Sequence, residues 1–294
     1  MQRVYGCHKG TTMLGRMGKD AGSLLGVEIA SDSVRVLQLR RLKGRYERVA
    51  WALERFEPFT AGDWWQAPDR VLAALSSAYR RSGSRQRRVA VALPASQVIC
   101  KVWQLPPSQS EAELEAKLLA DADRLFPFPL EELVMDFQVM GASQVQAGAR
   151  DVMVAACRQA VLNPLEALFE AAGLQLEAVE VDSIALRRLL PQPRAEGSAL
   201  LRLEPCSATL HCWSPDVLPQ RREMPLDRLC ELVAGCPFLN DLVVTSTPTL
   251  HQARLQQLAD SLSVQCRPLP AVAGIDCRDN SMTLACALAL GGWR

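Results

Sequence analysis

Leu24 to Leu39, LLGVEIASDSVRVLQL, is the stretch on which the reading of the fold turns. Two β-rich runs, 24–29 and 34–39, flank Ala30-Ser31-Asp32-Ser33, and small hydroxylated residues between apolar runs signal a hairpin. Glu28 is the one acid on an otherwise apolar strand. In a nucleotide-binding protein such a turn wraps phosphate with backbone N–H groups and hydroxyls, and an acid beside it faces a ligand or a metal. Glu28, Ser31, Ser33 and Arg35 are therefore the candidate nucleotide contacts. The plainer alternative, an opening hairpin whose acid points to solvent, stays open at this point.

Downstream, a third strand at 45–53 follows the turn Lys43-Gly44. Pro68 opens a helix with Val71, Leu72, Leu75 and Tyr79 on one face, ended by Gly83. The apolar run 89–93 stops at Pro94, as a buried parallel strand does. Residues 22–94 thus read β-β-β-α-β. A small α+β module is expected at 95–173. It holds a strand at 98–105, a helix with a Ser110/Glu113 capping box whose stripe of Leu114, Leu118, Ala122 and Leu125 runs until Pro127, strands at 134–140 and 151–157, and a helix around Pro164 that Gly173 ends. Pro164 belongs in that helix's first turn. Between the module's first helix and second strand runs the stiff segment Phe126-Pro127-Phe128-Pro129-Leu130-Glu131. A strand at 176–181 and a helix at 183–190 (grouped with 22–94 as 174–190) return to the first unit.

Pro191 to Gly197 has linker composition, and residues 1–21, without periodicity, read as a flexible extension. Behind the linker the pattern restarts in 198–294. Strands are expected at 199–203, 208–213, 218–224 and 241–245, with helices at 226–233, 250–262 and 281–290. The expected fold class is therefore α/β, an internal structural repeat with a module inserted in the first half.

The composition is that of an ordinary globular protein: 294 residues, 49% hydrophobic, 22% charged, net charge +1. It lacks the basic excess of a nucleic-acid binder, and the local run of Arg80, Arg81, Arg85, Arg87 and Arg88 reads as a solvated helix end. Ten cysteines contain no Cys-x-x-Cys pair and three histidines make no cluster with them, so no metal site is expected. No stretch approaches a membrane span. The expectation is a cytoplasmic chain that reaches a membrane only through a partner. Gly15 to Lys19 is too short for a P-loop.

The segments 26–39, 44–54, 89–141 (including FPFPLEE), 152–174 and 177–186 resemble, in order, the PilM family and its shorter HofM-like variants from type IV pilus or DNA-uptake machines. The resemblance implies an actin-like (ribonuclease H-like) duplicated β-β-β-α-β-α fold with an FtsA-type inserted subdomain and a shortened second half. It implies a protein of the inner-membrane assembly platform that binds the N-terminal tail of PilN in a cleft beside the module and contacts motor ATPases; oligomers are compatible with it. Residues 126–131 would supply part of that cleft, since a rigid apolar segment binds at low entropic cost. The competing reading makes the same segment a helix terminator packed in the module's core.

The departures from the family pattern bear on nucleotide chemistry. In actin-like ATPases each half's opening hairpin carries an Asp that acts through the metal or its water. Here the first such position is Glu28, and the second half has Leu201-Arg202-Leu203-Glu204-Pro205, with Arg202 for the acid and Glu204 for the following glycine. The adenosine turn, expected at 243–250, has no glycine. These losses argue against ATP hydrolysis and leave ATP with magnesium at most a weak ligand. The resulting expectation is a scaffold with a degenerate nucleotide site. The alternative is a working nucleotide-dependent switch or ATPase, kept alive by the intact first hairpin. An FtsA-like filament former would need a basic amphipathic C-terminal helix, which LACALALGGWR is not.

Overall fold

The structure, a computed structural model, describes residues 24–59, 64–106, 110–190, 198–205, 207–214, 217–236, 239, 241–246, 252–270 and 280–291. The expected extension 1–21, the linker 191–197 and residues 247–250 of the expected adenosine turn 243–250 lie outside them.

In chain order the first half forms β1 (Leu25–Ile29), β2 (Ser33–Leu42), β3 (Arg45–Arg55), α1 (Pro68–Ser82) and β4 (Arg88–Leu93). Lys43 and Gly44, both at positive φ, close the two-residue turn between β2 and β3. Pro68 starts α1, where its missing N–H costs nothing, and left-handed Gly83 ends it. Leaving β4, the chain builds β5 (Ile99–Leu105), α2 (Glu111–Ala120), the short α3 (Ala122–Leu125), β6 (Leu133–Ala142), β7 (Arg150–Arg158) and α4 (Gln159–Ala171). The Ser110/Glu113 capping box is present on α2. Phe126, held extended before Pro127, stops α3. The module's sheet runs β5-β7-β6.

Two local expectations fail. The α2 helix breaks at Asp121 instead of running on to Pro127. In α4, Pro164 stands at the sixth position rather than in the first turn. The reason is burial: Leu162 joins Leu165, Leu168 and Phe169 on the packed face, which draws the turn before Pro164 into the helix. At the other end Gly173 and Leu174 close a Schellman motif, their N–H groups reaching Glu170 and Phe169 carbonyls at 2.9 and 2.8 Å.

The chain then forms β8 (Gln175–Val181) and α5 (Asp182–Leu186), followed by β9 (Ser198–Leu203), β10 (Ser207–Ser214), β11 (Val217–Pro225) and α6 (Leu229–Ala234). Next come β12 (Asp241–Ser246), α7 (Gln252–Leu262), β13 (Gln265–Pro268) and α8 (Thr283–Gly291). The first sheet is ordered β3-β2-β1-β4-β8 and the second β11-β10-β9-β12-β13, strand for strand the same. In both, the first two pairings are antiparallel and the last two parallel. The last strand, β13, was not expected from the sequence: QCRP is short, polar and mostly exposed, so it carries no periodic signal.

Helix α8 joins the halves. All of its residues are buried, as an apolar-all-round helix requires. Its core cluster draws Leu37 and Leu39 from the first sheet and Leu200 and Val243 from the second. It lies so close on β1 that a Cβ at Gly26 would stand 2.0 Å from the Ala285 carbonyl oxygen and 2.8 Å from the Ala289 nitrogen. Only glycine permits that approach. Among the described residues no helix is long and apolar enough to cross a membrane.

Candidate functional site

The opening hairpins of the two halves close with the same turn. Ala30 N–H donates to the Ser33 carbonyl at 2.9 Å, and Glu204 N–H to the Ser207 carbonyl at 2.9 Å. That equivalence fixes the register of the repeat. Glu28, two residues before the first turn, and Arg202, two residues before the second, occupy the same place in the two halves with opposite charge.

They meet. An Arg202 Nη2 donates to Glu28 Oε1 across the halves and to Glu204 Oε1 at 3.1 Å. Arg35, which pairs with Glu28 across β1 and β2, donates to Glu28 Oε1 at 3.3 Å. It also spans the gap with a bidentate pair to Glu204, 3.1 and 3.0 Å. Its Nε donates to the Ser33 hydroxyl at 3.2 Å, and that hydroxyl donates to Asp32 at 2.7 Å. Arg35 is 1% exposed and Glu28 4%. Charges buried this far are tolerated when paired and hydrogen-bonded. Burial alone would lower the basicity of both guanidinium groups, but the Glu28 and Glu204 carboxylates outweigh it and hold each above its ordinary value.

Of the four candidate nucleotide contacts, Glu28, Ser33 and Arg35 thus converge, engaged with one another and with the second half. Ser31 stands apart, exposed at the turn. Among the described residues no group of three or more His, Cys, Asp or Glu side chains is placed to hold a metal ion.

A second polar cluster, which sequence reasoning missed, lies at the start of α5. Asp182 Oδ1 accepts from the Ala95 and Ser183 N–H groups at 3.0 and 2.6 Å, and its Oδ2 faces Arg221 Nε at 2.9 Å. The Ser183 hydroxyl meets His211 Nδ1 at 2.8 Å, and Trp213, stacked on His211, donates to the Ser183 carbonyl at 3.0 Å. His211 is wholly buried, and burial, with Arg202 and Arg221 nearby, pushes its basicity well below the ordinary value. Burial raises Asp182 while Arg221 opposes the rise. The cluster ties the turn after β4 to α5, β10 and β11; a serine this deeply buried is a structural partner. Its sequence signal was slight, since a polar Asp-Ser pair at a strand end reads first as a helix start.

The aromatic-proline segment divides. Phe126 is buried in the module's core with Leu114, Leu118 and Phe137, so it is a terminator packed inside rather than an exposed anchor. Phe128 is half-buried under the Arg158 guanidinium, 5.0 Å from its ring centre. Pro127, Pro129, Leu130 and Glu131 are exposed. Of the arginine run at the end of α1 and beyond it, Arg80, Arg81, Arg85 and Arg87 are exposed as expected, Arg81 with an ion pair to Glu54, while half-buried Arg88 grips Glu177 through two bonds of 3.1 Å.

The comparisons with known proteins agree with this architecture. The chain is similar over 92% of its length to the whole (99%) of a chain in a solved PilM–PilN type IV pilus biogenesis complex, with a TM-score of 0.71 and 21% identity. It is also similar, over 92% of its length and 95% of the other's, to the cytoplasmic domain of EpsL, an inner-membrane component of the type II secretion system of Vibrio cholerae, with a TM-score of 0.50 and 16% identity. These likenesses place the duplicated fold in the actin-like class. The sequence profile described as type IV pilus assembly protein PilM matches residues 26–196, more than half of the chain, and the chain belongs to that family.

Proposed function

We propose that this protein is a nucleotide-independent scaffold of the type IV pilus assembly platform, recruiting the N-terminal tail of a PilN-like membrane protein and lying against the inner membrane through it. The observation that carries the nucleotide-independent part is the Glu28–Arg202 pair. Two acids facing each other at equivalent hairpin positions need a cation between them. One acid and one guanidinium neutralise each other, which leaves only Glu28 Oε2 without a hydrogen bond. Arg202 has no lone pair to offer a metal, Glu28 Oε1 already accepts from two guanidinium groups, and Glu204 puts a carboxylate where phosphate would have to approach. This donor set does not fit magnesium with phosphate, and no catalytic step is assigned to it.

The likeness to a chain of a solved PilM–PilN complex supports the partner. On this reading Phe128, Pro129, Leu130 and Glu131 form one wall of the tail-binding cleft, and Phe126 holds that wall from inside the module. Calorimetry tests both parts. A synthetic peptide of the N-terminal tail of the neighbouring PilN-like protein is expected to bind stoichiometrically with the same affinity in the absence and presence of millimolar ATP and magnesium, and folded Phe128→Ala is expected to bind it more weakly. Stoichiometric heat from ATP alone would favour the nucleotide switch. Unchanged peptide affinity in Phe128→Ala would remove that residue from the interface.

A further inference from the structure

Strand β2 pairs with β1 only from Gln38 back to Val34. Beyond that, residues 39–42 and 45–48 pair with each other alone and form a two-stranded ribbon projecting from the first sheet. The nine residues 40–48 carry five cations, Arg40, Arg41, Lys43, Arg45 and Arg48, against the single acid Glu47, in a chain whose net charge is +1. Leu42 at the tip is 48% exposed, and Val49 and Trp51 on edge strand β3 are 43% and 46% exposed. Arg48 lies over the Trp51 ring, 4.7 Å from its centre. Charge on an edge strand guards against strand pairing, but a guard has no use for an exposed tryptophan and two aliphatic side chains beside it. Cations on flexible stems around a Trp, a Leu and a Val match the boundary between anionic headgroups and acyl chains, where arginine stems lie along apolar surface and the heads stay with phosphate. Single-stranded nucleic acid would use stacked aromatic platforms, and here the Tyr46 ring is partly buried against the α8 core with the Arg41 guanidinium over it.

We propose that the β2–β3 ribbon is a docking surface for an anionic phospholipid bilayer, laid edge-on so that Leu42 and Trp51, which the register places on opposite faces, both reach the headgroup boundary, with Arg41, Lys43 and Arg45 on the phosphates. It is a direct membrane contact, separate from any made through a protein partner, and it holds whether or not the chain binds a PilN-like tail. The test is sedimentation of the full chain with vesicles of phosphatidylglycerol and phosphatidylethanolamine, with phosphatidylcholine vesicles as the uncharged comparison. Binding is expected to the anionic vesicles only and is lost at 1 M salt, where screening acts within about 3 Å. Replacing Arg41, Lys43 and Arg45 by Ala is expected to weaken it about a hundredfold, from about 1 kcal/mol for each cation at the surface. The control Arg124→Ala/Arg228→Ala, which removes two exposed cations from the module and the second half, leaves binding unchanged. Trp51→Phe is expected to bind but to lose the vesicle-induced blue shift of tryptophan emission. Failure to bind anionic vesicles, equal binding to phosphatidylcholine, equal binding by the triple variant, or preference for a single-stranded oligonucleotide over vesicles would each overturn the proposal.

Discussion

Arg35→Met is the sharpest probe of the charge network that bridges the halves. The substitution keeps most of the side chain's bulk and removes three bonds to carboxylates: one to Glu28 and the bidentate pair to Glu204. Removing one member of a buried ion pair costs about 3–5 kcal/mol, because the partner is left desolvated and uncompensated. Glu204 keeps its bond to Arg202, and its side chain is 17% exposed, so water reaches it and the lower end applies, about 3 kcal/mol. For a chain of this size that lowers the melting temperature by about 6–12 °C. Adding Glu204→Leu reverses most of the loss. What remains is Glu28 with Arg202, one acid and one cation, an apolar pair in place of the other two, and Asp32, which loses its 3.6 Å contact with Arg35 but keeps Arg55 at 3.3 Å. Replacing a buried ion pair by apolar groups of similar volume is close to neutral, so the double variant should lie within about 1 kcal/mol of the parent. The assay is urea unfolding of the parent, both single variants and the double variant, with the coupling energy taken from the cycle. A coupling of at least about 2 kcal/mol is expected. If the double variant loses the sum of the single losses to within about 0.5 kcal/mol, Arg35 and Glu204 do not act as a pair and the network does not hold the halves together.

Gly26→Ala is expected to destabilise the chain by about 3 kcal/mol, the upper end for overpacking, because the added methyl group meets the backbone of α8 rather than a movable side chain; an unshifted melting temperature would mean that α8 does not lie on β1. His211 makes the fold acid-sensitive: its folded-state basicity is depressed, so the unfolded chain gains a proton first, and the stability is whole above about pH 6.5 and lost below it. Below about pH 6.5 the parent should lose stability more steeply than His211→Gln, by at most about 1.4 kcal/mol per pH unit, and parallel pH profiles in urea unfolding would count against a neutral buried imidazole.

Much of the fold was legible because its signals are local. Alternating apolar runs, Pro68, Gly83, Gly173 and the Ser110/Glu113 box mark element ends by chemistry that acts within a few residues, and the structure follows them. The failures share a cause. Strand β13 is an edge strand completed by pairing with β12, so its identity lies in the partner and not in QCRP. Pro164 sits deep in α4 because the packing of Leu162 outweighs the backbone penalty. The site was legible only in part for the same reason. Glu28, Arg202 and Glu204 stood out as departures from a pattern, but what each does depends on a partner some 170 residues away, and no local rule pairs them. One non-local signal was available: once the repeat is recognised, equivalent positions can be compared, and Glu28 against Arg202 is a charge reversal.

That reversal also explains why the departures belong together. Arg202 alone would leave two cations, itself and Arg35, competing for Glu28 in a buried place, which costs more than either pairing returns. Glu204 alone would set a second carboxylate beside Glu28. Each change is unfavourable by itself and favourable with the other, because the four side chains then sum to zero charge, with Glu204 taking the bidentate fork of Arg35 and Arg202 turned to Glu28. The same logic makes the path back to a cation-binding cleft difficult. Restoring an acid at 202 by itself would put Glu28, Glu204 and the new carboxylate around a single guanidinium, an uncompensated excess of negative charge in a buried place, with Glu204 still standing where phosphate would have to approach.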